Sequence, residues 1–174
     1  AKKDKIAFCG YHGWHDWYLS SNLSDDKNLD GHLMPGLEPR GVPRTLLGTA
    51  MPFRYNKIEE LEKIVSQNEI GAIIMEPLRH QEQKKYFLQK VRRTADKIGA
   101  VLIFDEVSSG FRFNVGGIHL KYGINPDIAV FAKGMSNGFP MAAIIGKEKV
   151  MEAAQETFIS STYWTERIGP TAAI

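Results

Sequence analysis

Two short apolar runs that end on charged residues set the strongest limit on how this chain folds. Val101-Leu102-Ile103-Phe104 ends on Asp105 and Glu106, and Ile128-Ala129-Val130-Phe131-Ala132 ends on Lys133 and Gly134. Both runs are apolar at consecutive positions and rich in branched and aromatic residues. That is the pattern of parallel strands covered on both faces. In open α/β sheets a ligand sits at the carboxyl ends of the strands. An acid and an amine are therefore both delivered to a ligand-bearing edge. The expected fold class is α/β, a mostly parallel sheet with helices on both faces.

The rest of the chain fits that expectation. Lys5–Cys9 reads as a strand closed by Gly10, followed by the aromatic and histidine-rich run Tyr11-His12-Gly13-Trp14-His15-Asp16-Trp17-Tyr18. One reading of that run is a short helix with Trp14, Trp17 and Tyr18 in the core. Another is that Tyr11 offers its ring face to a flat ligand. His12, His15 and Asp16 are also possible metal ligands, but they lack further ligands at zinc spacing. Residues 20–43 hold several prolines and glycines and read either as a functional or interface loop or as disorder. A brief strand is expected at Leu46–Ala50. Lys57–Asn68 has Ile58, Leu61, Ile64 and Val65 on one helical face.

Ile70–Met75 reads as a buried strand ending on Glu76-Pro77, where proline stops the ladder. Lys84–Ile98 predicts a helix with Phe87, Leu88, Val91, Ala95 and Ile98 inward and Gly99 as its stop. With Val101–Phe104 it completes a right-handed β-α-β unit. A short helix at Ile118–Tyr122 precedes the strand that ends at Ala132. A turn-rich run, Gly134 to Pro140, follows it. Ala142–Gly146 is close enough to be an antiparallel strand. Val150–Gln155 predicts a helix, Phe158–Thr162 is extended, and Thr165-Glu166-Arg167 opens a last helix.

Composition removes several function classes. The 174 residues are 43% hydrophobic and 24% charged, a globular balance. A net charge of +2 with no long basic run gives no footprint for nucleic acid. No apolar stretch is long enough for a membrane helix, and the single cysteine, Cys9, rules out an internal disulfide framework and fits a cytoplasmic protein.

Lys133 and Asp105 carry the chemistry. A lysine at a strand end in an apolar surround has its ammonium form disfavoured by desolvation. The free amine is then a nucleophile toward an aldehyde, and Gly134 leaves room for a ligand to approach. A carboxylate on a neighbouring strand can keep a ring nitrogen protonated. That pairing suits pyridoxal 5'-phosphate, although Asp105 or Glu106 as a loop cap and Lys133 as an exposed lysine fit the spacing as well. Val101–Glu106 also looks like the metal-binding strand of a nucleotide-binding domain. That reading needs a G-x-x-x-x-G-K-[ST] loop, and the sequence contains none.

Four ordered motifs make the pattern specific. They are Tyr11-His12-Gly13; Glu76-Pro77; Leu102 to Val107 with Gly110-Phe111-Arg112; and Pro126-Asp127-Ile128 through Ala132-Lys133-Gly134 to Gly138-Phe139-Pro140. In these the chain resembles the class III aminotransferases, fold-type I pyridoxal-phosphate enzymes, and looks most like their glutamate-1-semialdehyde aminomutase branch.

The resemblance implies transfer of an amino group between an amino compound and a carbonyl compound, or a 2,1-amino shift. It implies that Lys133 forms the Schiff base with the cofactor and shuttles a proton, and that Asp105 pairs with the ring nitrogen. Tyr11 and Val107 would pack on the two ring faces, with Glu76 beside the cofactor. A threonine of the partner subunit in a homodimer would reach the cofactor phosphate. Thr162 is favoured for this over Thr165.

Family members are longer, so the resemblance implies that residues 1–174 are a central part of the large cofactor-binding domain. The N-terminal segment, the phosphate loop and the C-terminal small domain would lie outside it. The expectation is weak cofactor binding and little turnover. The alternative is a non-catalytic α/β module that dimerises.

Overall fold

Strands form where the apolar runs predict them. A computed structural model describes residues 1–78, 80–136 and 138–174. Asn137, in the turn-rich run after Lys133, lies outside the described residues. The elements in order are β1 (Lys5–Cys9), α1 (Asp16–Leu19), β2 (Ala50–Pro52), α2 (Ile58–Gln67), β3 (Ile70–Met75), α3 (Phe87–Ile98), β4 (Val101–Asp105), α4 (Ile118–Tyr122), β5 (Ile128–Phe131), β6 (Ala143–Gly146), α5 (Glu148–Met151) and α6 (Ile168–Ala173). The sheet order is β2-β1-β3-β4-β5-β6. β1 pairs in parallel with β2 and β3, and β4 with β5. β6 runs antiparallel to β5, as its short connection requires. The fold is thus a mostly parallel α/β sheet.

The chain divides into two compact units, Ala1–Leu102 and Ile103–Ile174. In the first, Phe8, Tyr18, Leu29 and Ala50 form a buried cluster, with Trp17, Leu37 and Ile74 packed against it. Leu29 belongs to the proline-rich stretch 20–43, so that stretch is packed rather than disordered. Its ties are specific. The Asn22 side chain donates to Leu37 O at 2.6 Å and accepts from Leu29 N–H at 3.0 Å. Gly10 N–H donates to His32 Nδ1 at 3.1 Å.

Several expected boundaries move: α5 is Glu148–Met151 rather than Val150–Gln155, α6 begins at Ile168 rather than Thr165, and three others shift for a local reason. The second strand begins at Ala50 instead of Leu46. Hydrogen bonds from Leu47 N–H to Arg44 O and from Thr49 N–H to Leu46 O fold 44–49 into a turn, with Gly48 at φ +73°. α3 begins at Phe87 instead of Lys84. The Asn56 side chain holds Lys84 N–H and Glu82 O, and Tyr86 sits at φ +65°, outside helical geometry. α1 starts only at Asp16, and Trp14 is 56% exposed rather than in the core.

α2 and α3 pack on one another in the first unit. α3 buries Phe87, Leu88, Val91 and Ala95 and ends at Gly99, φ +67°, where Ala100 N–H returns to Ala95 O. Just before α2, Arg54 Nε donates to Glu60 Oε1 at 2.7 Å and Arg54 N–H to Oε2 at 2.8 Å. Burial pushes the Glu60 carboxyl up, but its hydrogen bonds and proximity to Arg54 outweigh that and hold it below the usual range. In the second unit Phe104, Ile118, Ala129 and Phe131 are buried.

Leu88 has no exposed surface and sits on the inward face of α3. Leu88→Ala is expected to cost about 2–5 kcal/mol, the usual range for a buried leucine. Urea denaturation followed by circular dichroism measures it. A loss under about 1 kcal/mol would place Leu88 outside the core, at odds with the burial on which that range rests.

Candidate active site

Each unit carries part of the predicted set. In the first, β1 and β3 pair with Cys9 opposite Met75, so their carboxyl ends lie side by side. Glu76 N–H donates to Cys9 O at 3.1 Å, which extends the ladder past the strand. Tyr11 N–H donates to Glu76 Oε2 at 3.1 Å. Tyr11 and Glu76, 65 residues apart in sequence, are thus brought together. The Tyr11 ring meets Trp14 and Tyr18 edge-on, at 5.5 and 5.7 Å between centroids. Gly10 is required between them. Its φ is +119°, and a Cβ there would overlap the Glu76 carboxylate.

The two histidines of this turn are engaged locally. His12 Nε2 lies 3.3 Å from Cys9 O, and His15 Nε2 lies 2.8 Å from His12 O. Among the described residues no three of His, Cys, Asp and Glu cluster as metal ligands. No helix among them is long and apolar enough to cross a membrane.

In the second unit, Asp105 ends β4 opposite Val130 of β5, and Lys133 follows β5. Asp105 Oδ1 accepts Val107 N–H at 3.1 Å, which folds the chain sharply after the strand. Lys133 Nζ donates to Ser108 Oγ at 3.0 Å. Asp105, Val107, Ser108 and Lys133 therefore occupy one edge of this unit. Lys133 has φ +46°, a region that L-residues other than glycine and asparagine rarely enter. It is exposed, so the apolar surround expected for it is not what the structure places there.

Lys133, Gly134, Gly138, Phe111 and Arg112 line an open cavity of about 660 Å³. Gly134 does not simply leave room for a ligand, because a Cβ there would approach Gly110 O at 3.1 Å and the Arg112 side chain. Its bareness lets two turns of this unit meet. The cavity has an amine, a guanidinium and an aromatic ring on its wall, and it has space for a small aromatic phosphate ester. The residues present fit pyridoxal phosphate in size and charge.

Glu106, read from the sequence as a carboxylate that could cap a loop, organises this edge. It is fully buried. Its N–H donates to Val130 O at 2.8 Å. Oε1 accepts His119 N–H at 3.0 Å and contacts His119 Nδ1 at 2.8 Å; Oε2 accepts Ile118 N–H at 3.1 Å and the Ser109 hydroxyl. The carboxylate thus caps the amino end of α4 and holds the Val107–Gly110 turn to it. A signal existed. Neighbours in a strand point to opposite faces, so Asp105 and Glu106 could not both look toward a ligand. Thr162 and Thr165 lie on an exposed turn, outside the Asp105–Ser108–Lys133 group in the described contacts.

Comparisons with known proteins identify the family. The family model for class-III aminotransferases matches residues 2–173. A 3-aminobutyryl-CoA aminotransferase of Cloacimonas acidaminovorans is 36% identical, over 99% of this chain and 40% of its own length. A glutamate-1-semialdehyde 2,1-aminomutase of Ignicoccus hospitalis is 37% identical, over 87% of this chain and 36% of its own length. The crystal structure of an omega-transaminase from Sphaerobacter thermophilus superposes with a TM-score of 0.77 at 28% identity, over 98% of this chain and 43% of the other. The fold is that of an α/β transaminase domain, and the chain belongs to the class-III aminotransferase family. It spans less than half the length of the curated relatives it matches. Membership gives the nucleotide-binding reading no support.

Glu106→Gln is expected to destabilise the fold by about 2–4 kcal/mol, because an amide cannot accept all of these donors and leaves buried groups unpaired. Thermal unfolding followed by circular dichroism measures this. An unchanged Tm would remove Glu106 from its organising role.

Proposed function

We propose that the protein takes part in pyridoxal-phosphate-dependent transfer of an amino group between an amino compound and a carbonyl compound, or in a 2,1-amino shift. The observation that carries this is Lys133. Its amine is held by Ser108 at the wall of a cavity that also presents Arg112, and Asp105 ends the adjacent strand. The ordered family motifs support it. When bound, the cofactor supplies an aldehyde and an electron-withdrawing ring.

The chain's own groups divide the remaining work. Lys133 Nζ holds the cofactor and, when released, moves a proton to or from the substrate carbon. Ser108 Oγ accepts from that nitrogen and orients it. Asp105, steadied by Val107 N–H, holds a proton on the ring nitrogen. Family resemblance assigns Tyr11 and Val107 to the ring faces, Glu76 to the cofactor's side, and Thr162 to the phosphate held by a partner subunit. Residues 1–174 would then be part of a large cofactor-binding domain of a cytoplasmic enzyme.

We infer a homodimer as the working form. In the second unit Phe158 is 94% exposed, and Tyr163, Trp164 and Ile168 are more than half exposed. An apolar run of this kind marks an association surface.

Adding pyridoxal phosphate should give a visible absorption band of the lysine-bound cofactor. Borohydride should fix the cofactor to Lys133, read by peptide mass spectrometry. Lys133→Ala should abolish both signals. A band that survives the substitution, or cofactor fixed to another lysine, overturns the role of Lys133. Light scattering should give twice the mass of one chain; a monomer at all concentrations overturns the homodimer.

A further inference from the structure

A second cavity lies wholly within the first unit, at the carboxyl end of β1. It has a volume of about 230 Å³, and its wall includes Cys9, His32, Arg54, Lys57, His80 and Gln81. Among the described residues, no Asp or Glu lines it. Two full cations, two imidazoles and an amide face one small space. Such a wall is rich in donors and poor in negative charge.

The cations are arranged to receive something. Glu60 takes Nε, Nη2 and the backbone N–H of Arg54, which anchors the guanidinium. Nη1 of Arg54 has no hydrogen-bond partner among the described residues. Lys57 Nζ lies 3.9 Å from Glu59 Oε1, too far for a hydrogen bond. The His80 ring also has no described partner. At His32, Gly10 N–H donates to Nδ1. The polar, cation-rich wall suits one compact polar group.

We propose that this cavity binds a compact oxyanion, a phosphate or carboxylate group, through Arg54, Lys57 and His80. The guanidinium, pinned on one side by Glu60, presents its other edge as a preorganised donor pair. Lys57 adds a mobile charge and His80 a further N–H. None of these residues is among those assigned above to the cofactor, so the proposal does not depend on that reading.

Calorimetric titration tests it, on protein free of pyridoxal phosphate and at ionic strength fixed with chloride. Inorganic phosphate is the probe in one arm and acetate in the other, which separates the two anion chemistries. Saturable binding of one anion per chain is expected in at least one arm. Lys57→Gln and His80→Asn should each weaken it tenfold or more, while Lys63→Gln, an exposed lysine on α2 outside the cavity wall, should leave it unchanged. Thermal unfolding of the variants checks that each is folded. Saturation in neither arm overturns the proposal. So does binding that survives both cavity substitutions, or that falls equally with Lys63→Gln.

Discussion

A carboxylate with no solvent exposure survives only where donors surround it, and Glu106 shows what that requirement does to a fold. Its four donors come from Ser109, Ile118 and both the backbone and the ring of His119. Its own N–H continues the ladder to β5 through Val130 O. One side chain therefore ties a strand end, a turn and a helix start into a single piece. Asp105 and Val107 flank it, and Ser108 follows. These residues at the strand end inherit their positions from a buried neighbour.

The first unit solves the same problem differently. There the pieces are joined by backbone donors into side chains: Tyr11 N–H into Glu76 and Gly10 N–H into His32. Both depend on Gly10, whose conformation and missing Cβ let two strand ends and the following turn approach closely. The stretch 20–43 then becomes part of the core because His32 and Leu29 are buried by it, not because it has regular structure.

Much of the fold was legible. Consecutive apolar runs gave β1, β3, β4 and β5, and spacing with a glycine stop gave α3's end and α4. What was not legible depends on contacts distant in sequence. Asn56 fixes the start of α3 from 26 and 28 residues away. Trp14 is exposed although Tyr18 is buried, because the helix starts only at Asp16 and Trp14 lies before it. For the candidate site, motifs singled out Asp105, Lys133, Tyr11 and Glu76. Composition could not show that Lys133 is exposed with Ser108 as its partner, or that Gly134 is small for the sake of Gly110 and Arg112.

The backbone at Lys133 has a further meaning. A left-handed conformation at a non-glycine residue costs about 1–2 kcal/mol per residue. A sequence selected only to persist as a folded object would drift toward glycine at this position, since glycine pays no such penalty. On the proposed function, the lysine side chain returns chemistry that the fold alone does not reward. On that reading, durability and reactivity ask for different amino acids at position 133.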